Sequence, residues 1–385
     1  MRALLAVVLF VIALPFVLAA DDDETAALEA FKKSGGSVVV VPTTKELNIQ
    51  LYQLVTDKRK AKGLVHLKAV TSPIHLSLRG SAITDDVLKS LLEIPQLKSL
   101  TLHTTQVTDT GLQTLSGLNK LTSLSLSSNT VTVAGLKELA GIKNLSVLSL
   151  FGTEVTEDGL KELAKMNSLT SLTLSSKVNG VGLKELAALS NLNTLNLISP
   201  TTTDDDLKKL VVFKKLKQLT LNGKGITDSG LKELAVLENL TMLSLDGTAV
   251  TEAGIAELAP LKKLIWLSVP YTALTERSLR QLREANQLHA MNFVRGAGAD
   301  RPRNAEEVAE VYLPTQIGEG AFKELTVFKN LKTLTIAGSA VTDEGIKELA
   351  KLKNLRWLGI SSSKVTPEGL AELKKALPDC KIDKN

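Results

Sequence analysis

The stretch LTSLSLSSNTVTVAGLKELAGIKN, residues 121–144, recurs along the chain with little change. Two further copies are LSVLSLFGTEVTEDGLKELAKMNS at 145–168 and LTMLSLDGTAVTEAGIAELAPLKK at 240–263. A fixed internal period of this size is typical of a solenoid, because a unit so small can bury its apolar side only against its neighbours. The repeat therefore decides the fold.

Each part of the unit has a predictable local structure. The consensus is L-x-x-L-x-L-x-x-T-x-V-T-D-x-G-L-K-E-L-A-x-L-x-N. Alternation in L-x-L predicts a short strand with one buried face, and G-L-K-E-L-A-x-L predicts a short amphipathic helix. We expect the Thr-Asp pair to cap that helix, and the hydroxyl at the ninth position to bond backbone groups of adjacent turns.

Twelve such units follow one another, with an N-terminal cap predicted over 21–72 and a last capping strand over 379–385. The repeat domain is predicted over 73–378, and its spacing is 24 residues except for one step of 23 and one of 43. The first positions of the units are Pro73, Leu97, Leu121, Leu145, Leu169, Leu192, Leu216, Leu240, Leu264, Leu288, Leu331 and Leu355.

These units resemble those of leucine-rich-repeat proteins. The form V-T-D-x-G-L-K-E-L, as in ITDSGLKEL at 226–234, is similar to repeats of exported bacterial proteins and also to those of F-box ubiquitin-ligase adaptors. The adaptors usually carry cysteines beside the strands, and this chain does not. The resemblance implies an α/β horseshoe with a parallel sheet on the concave face, short helices on the convex face, and recognition of a protein or peptide.

The first residues, MRALLAVVLFVIALPFVLAADDDE at 1–24, predict export. One arginine, an apolar run, two small residues and an acidic stretch are typical of a secretory signal peptide over 1–20, cleaved after Ala19 or Ala20. An uncleaved membrane anchor is the alternative, because the apolar run approaches the ~20 residues that a span needs. Without that segment the mature chain has no membrane span, and we expect it in the periplasm, in the cell envelope or secreted.

Composition excludes several classes of function. Charged residues make up 23% of the chain and the net charge is only +5, with no basic block, so nucleic-acid binding is not expected. The single cysteine, Cys380, cannot form an intramolecular disulfide. Neither the four histidines nor Asp204–Asp206 form a catalytic or metal-binding pattern, so we predict no cofactor, no metal and no enzymatic activity. The histidines are His66, His75, His103 and His289.

The one long spacing locates an insertion. TQIGEGAFKEL at 315–325 matches the second half of a unit, so 296–314 is additional chain between the strand and the helix of the tenth repeat. Asn304 with Glu307 three residues later is a capping pattern, and it predicts a short helix on the rim of the sheet with one face formed by Val308, Val311 and Tyr312. Insertions in solenoids tend to lie on the functional side, although a neutral insertion is equally compatible with the sequence.

The outward-facing strand positions change character beside this insertion. In repeats two to seven they are mostly serine and threonine, whereas later repeats carry large residues. Exposed Trp, Tyr and Arg are enriched where proteins bind one another. The predicted partner-binding residues are Met242, Trp266, Tyr271, Arg295, Arg301, Arg303, Arg356 and Trp357.

The sequence thus predicts an exported, non-enzymatic scaffold that binds a protein or peptide on its concave face, with a glycan as a further possible ligand. A structural module of the cell envelope without a dedicated ligand is the first alternative. An intracellular adaptor for protein degradation is the second, and it depends only on the similarity of the repeats. The partner's identity, the oligomeric state and the role of the insertion stay open.

Overall fold

The computed structural model describes residues 22–40, 46–51, 62–127, 131–175, 180–298, 300–314, 317–337, 341–361 and 364–384. The predicted signal peptide lies outside these residues. So do three of the ninth-position hydroxyl residues, Thr315, Ser339 and Ser363.

The described strands form two sheets. One has eleven strands in chain order, parallel throughout except for the antiparallel first pair, and the other has the last five. The strands are β1 (Ser37–Val40), β2 (Leu47–Leu51), β3 (Ile74–Arg79), β4 (Leu97–His103), β5 (Ser123–Ser127), β6 (Val147–Leu150), β7 (Ser171–Leu174), β8 (Thr194–Ile198), β9 (Gln218–Asn222), β10 (Met242–Ser244), β11 (Trp266–Ser268), β12 (Val294–Gly296), β13 (Val308–Leu313), β14 (Thr333–Ala337), β15 (Trp357–Ser361) and β16 (Lys381–Asp383).

A helix follows most strands and packs against the helix of the next repeat. The described α-helices are α1 (Asp22–Lys33), α2 (Asp85–Leu91), α3 (Asp109–Thr114), α4 (Val133–Leu139), α5 (Glu157–Leu163), α6 (Gly180–Glu185), α7 (Asp204–Leu210), α8 (Asp228–Leu234), α9 (Glu252–Ile255), α10 (Glu276–Glu284), α11 (Phe322–Leu325), α12 (Asp343–Leu349) and α13 (Pro367–Ala376). Single 3-10 turns are Leu115–Gly117, Leu186–Ala188, Ala256–Leu258, Tyr271–Ala273, Leu288–Ala290, Ala305–Glu307 and Glu319–Ala321, and a longer 3-10 helix is Lys62–Ala69.

The core lies between the sheet and the helices. On β5, Leu124 and Leu126 are buried while Ser125 between them is half-buried, and the same alternation holds on the neighbouring strands. Equivalent residues of successive repeats pair directly, as in Leu124 with Leu148. The predicted fold class, an α/β solenoid of leucine-rich-repeat type, is confirmed.

Both ends of the core are covered. Phe31 of α1 is fully buried, and α1 packs on the 3-10 helix Lys62–Ala69. Its Glu24 accepts hydrogen bonds from the backbone N–H and the hydroxyl of Thr71, which lowers the pKa of the carboxyl although burial opposes that shift. At the other end Cys380 is buried just before β16, and burial raises the pKa of its thiol.

In most of the described repeats a carboxylate at the start of the helix joins one repeat to the next, whereas α4 and α6 begin with Val133 and Gly180. The Asp228 carboxylate accepts from the backbone N–H of Thr251 at 2.7 Å and from its hydroxyl at 2.6 Å, and Thr251 is the residue that caps the next helix. We call each pair in which such a carboxylate accepts from the threonine hydroxyl a rung; in all but Glu252–Thr275 it also accepts from the threonine N–H. The described rungs are Asp85–Thr108, Asp109–Thr132, Asp204–Thr227, Asp228–Thr251, Glu252–Thr275, Glu319–Thr342 and Asp343–Thr366.

The rungs refine the predicted capping. Threonine does cap its own helix in several repeats, as Thr132 does by accepting from the Ala134 N–H. The aspartate instead bonds the next repeat. It also explains the consensus glycine, because a Cβ at Gly230 would lie 2.3 Å from the Asp204 Oδ1 atom. A side chain at that position would displace the carboxylate from its rung.

Two buried ninth-position hydroxyls bond backbone carbonyls; Thr153 does so across repeats as predicted, whereas Thr248 bonds within its own repeat. The Thr153 hydroxyl donates to the Leu126 carbonyl of the preceding repeat at 2.6 Å, and the Thr248 hydroxyl donates to the Leu245 carbonyl at 2.7 Å. Both threonines are almost fully buried. They satisfy carbonyl groups where the backbone turns away from the strand.

Asp204→Ala tests the rungs. It removes both acceptors of Thr227, so we expect the free energy of unfolding to fall by about 1–3 kcal/mol, measured by urea denaturation. Asp205→Ala is the control, since Asp205 lies in the same first helical turn but is exposed and pairs only with Lys208, and its loss should cost under about 0.5 kcal/mol. Equal losses from the two variants would show that the helix terminus matters and the rung does not.

Candidate functional site

The insertion forms a strand, and the helix predicted over 304–312 is wrong. Asn304 does act as a cap, its Oδ1 accepting from the Glu306 N–H at 2.9 Å, but only the 3-10 turn Ala305–Glu307 follows. The chain then continues as β13, in which Val308 and Val311 are buried and Tyr312 is exposed. β13 pairs in parallel with β14, and that ladder together with the β-branched valines outweighs the local capping signal.

The chain reverses direction just before this strand. Met291 pairs with Leu267 of β11, so the tenth repeat begins in register. A turn then follows, in which the Val294 N–H donates to the Met291 carbonyl at 3.0 Å, and β12 runs antiparallel to β13. This reversed segment is where the eleven-stranded sheet ends and the five-stranded sheet begins.

The helical layer continues past the insertion through ion pairs. Glu324 of α11 is buried and accepts from the guanidinium groups of Arg280 (3.4 Å) and Arg283 (2.5 Å) on α10. Glu276 of α10 contacts Arg280 and Lys323, and the hydrogen bond from Lys323 holds the pKa of the Glu276 carboxyl below its usual range. Residue 318, where the consensus has the rung threonine, is glycine, so these ion pairs replace the missing rung.

Two of the predicted residues meet on the eleven-stranded sheet. Met242 and Trp266 are directly paired across β10 and β11, and both side chains are partly exposed. Tyr271 lies just past the end of β11 with 60% of its surface exposed. We call these three residues the β10–β11 patch.

Arg295 lies on β12 and covers an aromatic ring that sequence reasoning did not select. Its guanidinium carbon lies 5.4 Å from the centroid of the Tyr312 ring, at cation–π distance. The Tyr312 hydroxyl donates to Glu310 at 3.0 Å, and this hydrogen bond raises the pKa of the phenol. Arg295 and Tyr312 are both exposed on the face of the five-stranded sheet.

The two other arginines of the insertion differ in environment. The Arg301 guanidinium donates to the backbone carbonyls of Val294 at 2.9 Å and Asn292 at 3.3 Å, so it holds the turn before β12. Burial lowers the pKa of Arg301, and the neighbouring Arg295 charge acts in the same direction. Arg303 is exposed, and its backbone N–H donates to the Glu307 carboxylate at 2.9 Å.

The remaining predicted residues, Arg356 and Trp357, lie at the start of β15. Arg356 is exposed and pairs with Asp379 at 3.4 Å. Trp357 is partly exposed on the sheet face. Trp266 lies on β11 of the eleven-stranded sheet, whereas Trp357 lies on β15 of the five-stranded sheet. The predicted residues therefore divide into two patches.

A depression of about 560 Å³ opens beside the five-stranded sheet, between the insertion and the starts of β13–β15. Three cations (Arg301, Lys332 and Arg356) and three carboxylates (Asp300, Glu306 and Glu307) line it. Within the described ranges, no three His, Cys, Asp or Glu side chains converge to hold a metal ion. None of the helices described here is both long and apolar enough to cross a membrane.

Comparison with known proteins agrees with this architecture. Models of the leucine-rich-repeat family match residues 95–155 and 329–350. The chain contains leucine-rich repeats. A comparison with curated proteins gave no match.

Solved structures similar to this leucine-rich-repeat chain include two bacterial examples. An internalin from Listeria monocytogenes is 18% identical with a TM-score of 0.49, and the match covers 95% of each chain. A leucine-rich-repeat protein of Leptospira interrogans is 22% identical with a TM-score of 0.49, covering 83% of this chain and 91% of that one.

Arg301→Ala and Arg303→Ala distinguish an arginine that stabilises the fold from one that is only exposed on the surface. Loss of Arg301 leaves two backbone carbonyls without a charged donor, so we expect about 2 kcal/mol of destabilisation in urea. Arg303→Ala should change the free energy of unfolding by less than about 0.5 kcal/mol. A stable Arg301→Ala protein would refute the structural role of this arginine.

Proposed function

We propose that this protein is an exported, non-enzymatic scaffold that binds a protein or peptide partner on the outer, concave face of its sheet. The leucine-rich-repeat fold supports an interaction scaffold in general. The finer assignment of the partner surface to the β10–β11 patch and its surroundings is our proposal.

The observation that carries the proposal is the contrast along the sheet face. On β5 and β7 the outward side chains are small and hydroxylated, such as Ser125 and Thr173. On β10 and β11 the same register carries Met242 and Trp266, with Tyr271 exposed beside them. Large amphipathic side chains on a rigid sheet supply contact area at little cost in conformational entropy.

The surroundings of the patch are held firmly. Asp246 accepts from the Ser268 hydroxyl at 2.7 and 2.8 Å, and the Asn292 amide donates to that same hydroxyl at 2.8 Å. Ser268 is fully buried although its strand position faces outward. This network links β10, β11 and the turn of the insertion, so it supports a preformed binding surface.

The first twenty residues support the proposed export. The apolar run with small residues at 19 and 20 supports a secretory signal, and we propose a periplasmic, envelope or secreted location. A structural envelope module without a dedicated ligand is the second candidate. The small hydroxylated side chains that predominate on the sheet face before β10, as on β5 and β7, favour it.

Affinity capture from envelope and secreted fractions of the source organism tests the binding proposal. We expect the chain lacking residues 1–20 to retain a protein that a Trp266→Ala/Tyr271→Ala variant binds at least ~30-fold more weakly, since each binding hot spot contributes about 2 kcal/mol.

Phe151→Ala is the matched control for this capture. Phe151 is also an exposed aromatic residue, 47% accessible, but it lies outside the β10–β11 patch. The control variant should retain the partner. Equal loss in both variants, or equal retention, would contradict the assignment to the patch, and the absence of any captured protein would favour the structural module.

A further inference from the structure

A tryptophan lies along the five-stranded sheet because a glycine leaves room for it. A Cβ at Gly359 would be 2.5 Å from the Trp357 Cη2 atom and 2.9 Å from Cζ3, so the benzene half of the indole occupies the space of a side chain at 359. Gly359 is buried beneath it, while Trp357 stays partly exposed. The equivalent position of neighbouring strands carries a polar side chain, as Thr335 does on β14.

Polar groups flank the indole at the same level of the sheet. Gly359 pairs with Thr335 on one side and with Asp383 of β16 on the other. Thr335 in turn pairs with Tyr312 of β13, whose backbone is thus two strands, about 10 Å, from Gly359. The row presents a phenol hydroxyl, a threonine hydroxyl, an indole face and a carboxylate.

Charges of both signs surround this row. Arg295 and Glu310 are paired across β12 and β13, while Lys381 and Asp383 lie on β16. Lys332 and Arg356 precede β14 and β15, and Arg356 is compensated by Asp379. A surface that mixes cations with carboxylates attracts a strongly acidic or basic peptide only weakly. It suits an uncharged ligand that carries many hydroxyl groups.

We propose that Trp357, laid over Gly359, is a stacking platform for a neutral glycan chain, with Thr335, Tyr312 and Asp383 as hydrogen-bonding neighbours. The apolar C–H face of a hexose fits the electron-rich face of an indole. The strand spacing of about 4.8 Å is close to the length of one hexose unit, so an extended glycan crossing the strands meets these groups in succession. Donors and acceptors on both sides of the ring set its orientation.

This glycan site is distinct from the protein-binding patch of the proposed function. Trp266 lies on the eleven-stranded sheet and Trp357 on the five-stranded sheet. We therefore expect substitutions in one site to leave binding at the other unchanged.

Fluorescence of a Trp266→Phe chain tests the proposal directly. The chain has two tryptophans, so this variant reports Trp357 alone. The probes are cellohexaose, chitohexaose, laminarihexaose and maltohexaose, each titrated to about 5 mM. We expect at least one to cause a saturable spectral change with a Kd below about 1 mM, confirmed by calorimetry on the unsubstituted chain.

Two further variants decide between stacking and unrelated binding. Gly359→Ser introduces a polar side chain that displaces the Trp357 indole but leaves strand β15 intact. It should therefore weaken glycan binding at least tenfold without lowering the thermal midpoint of unfolding. Trp357→Ala should weaken calorimetric binding as strongly, and Trp266→Ala should leave it unchanged. Absence of binding by all four glycans, binding insensitive to Gly359→Ser and Trp357→Ala, or a response to polyglutamate or polylysine peptides alone would overturn the proposal.

Discussion

The carboxylate–threonine rung is the interaction on which the geometry of this solenoid depends. Burial of leucine drives the repeats together, but it is non-directional and does not by itself fix how far one repeat slides along the next. A carboxylate that accepts from both the backbone N–H and the hydroxyl of one threonine does fix it, as Asp343 does with Thr366. The consensus T-D-x-G follows from this contact, since the threonine donates, the aspartate accepts and the glycine leaves space.

The insertion interrupts this ladder and creates the distinctive part of the surface. At Gly318 the rung threonine is absent, and a buried Glu324 held by two arginines keeps the helices together instead. On the sheet side the reversed strand β12 ends one sheet and starts another. The outward face is thereby divided into the β10–β11 patch and the surface around Trp357. The strands before β10 carry mainly small hydroxylated side chains on this face.

Sequence periodicity predicted the fold and the strand register because each unit repeats the same alternation of buried leucines. It did not predict the reversed strand β12. The match of 315–325 to the consensus indicated that the strand of the tenth repeat precedes the insertion, whereas β13 within the insertion is the strand that pairs with β14. The valines at 308 and 311 with Leu313 carried the strand signal that the Asn304 cap obscured. The predicted site residues share only their residue type. Neither the separation of Trp266 from Trp357 nor the anchoring of Arg301 could be predicted without the three-dimensional structure. Gly359 was visible in the sequence, yet its role depends on the position of the indole.

The proposed binding function depends on a rigid sheet with exposed Met, Trp and Tyr side chains at one place, and these residue types are also readily oxidised. Hydroxyl-radical footprinting of the chain with and without its captured protein partner therefore tests the central claim most directly. The account predicts protection of Met242, Trp266 and Tyr271 in the complex, with Phe151 unchanged. Protection confined to the helical side of the solenoid, with the β10–β11 patch still oxidised at its free rate, would contradict it.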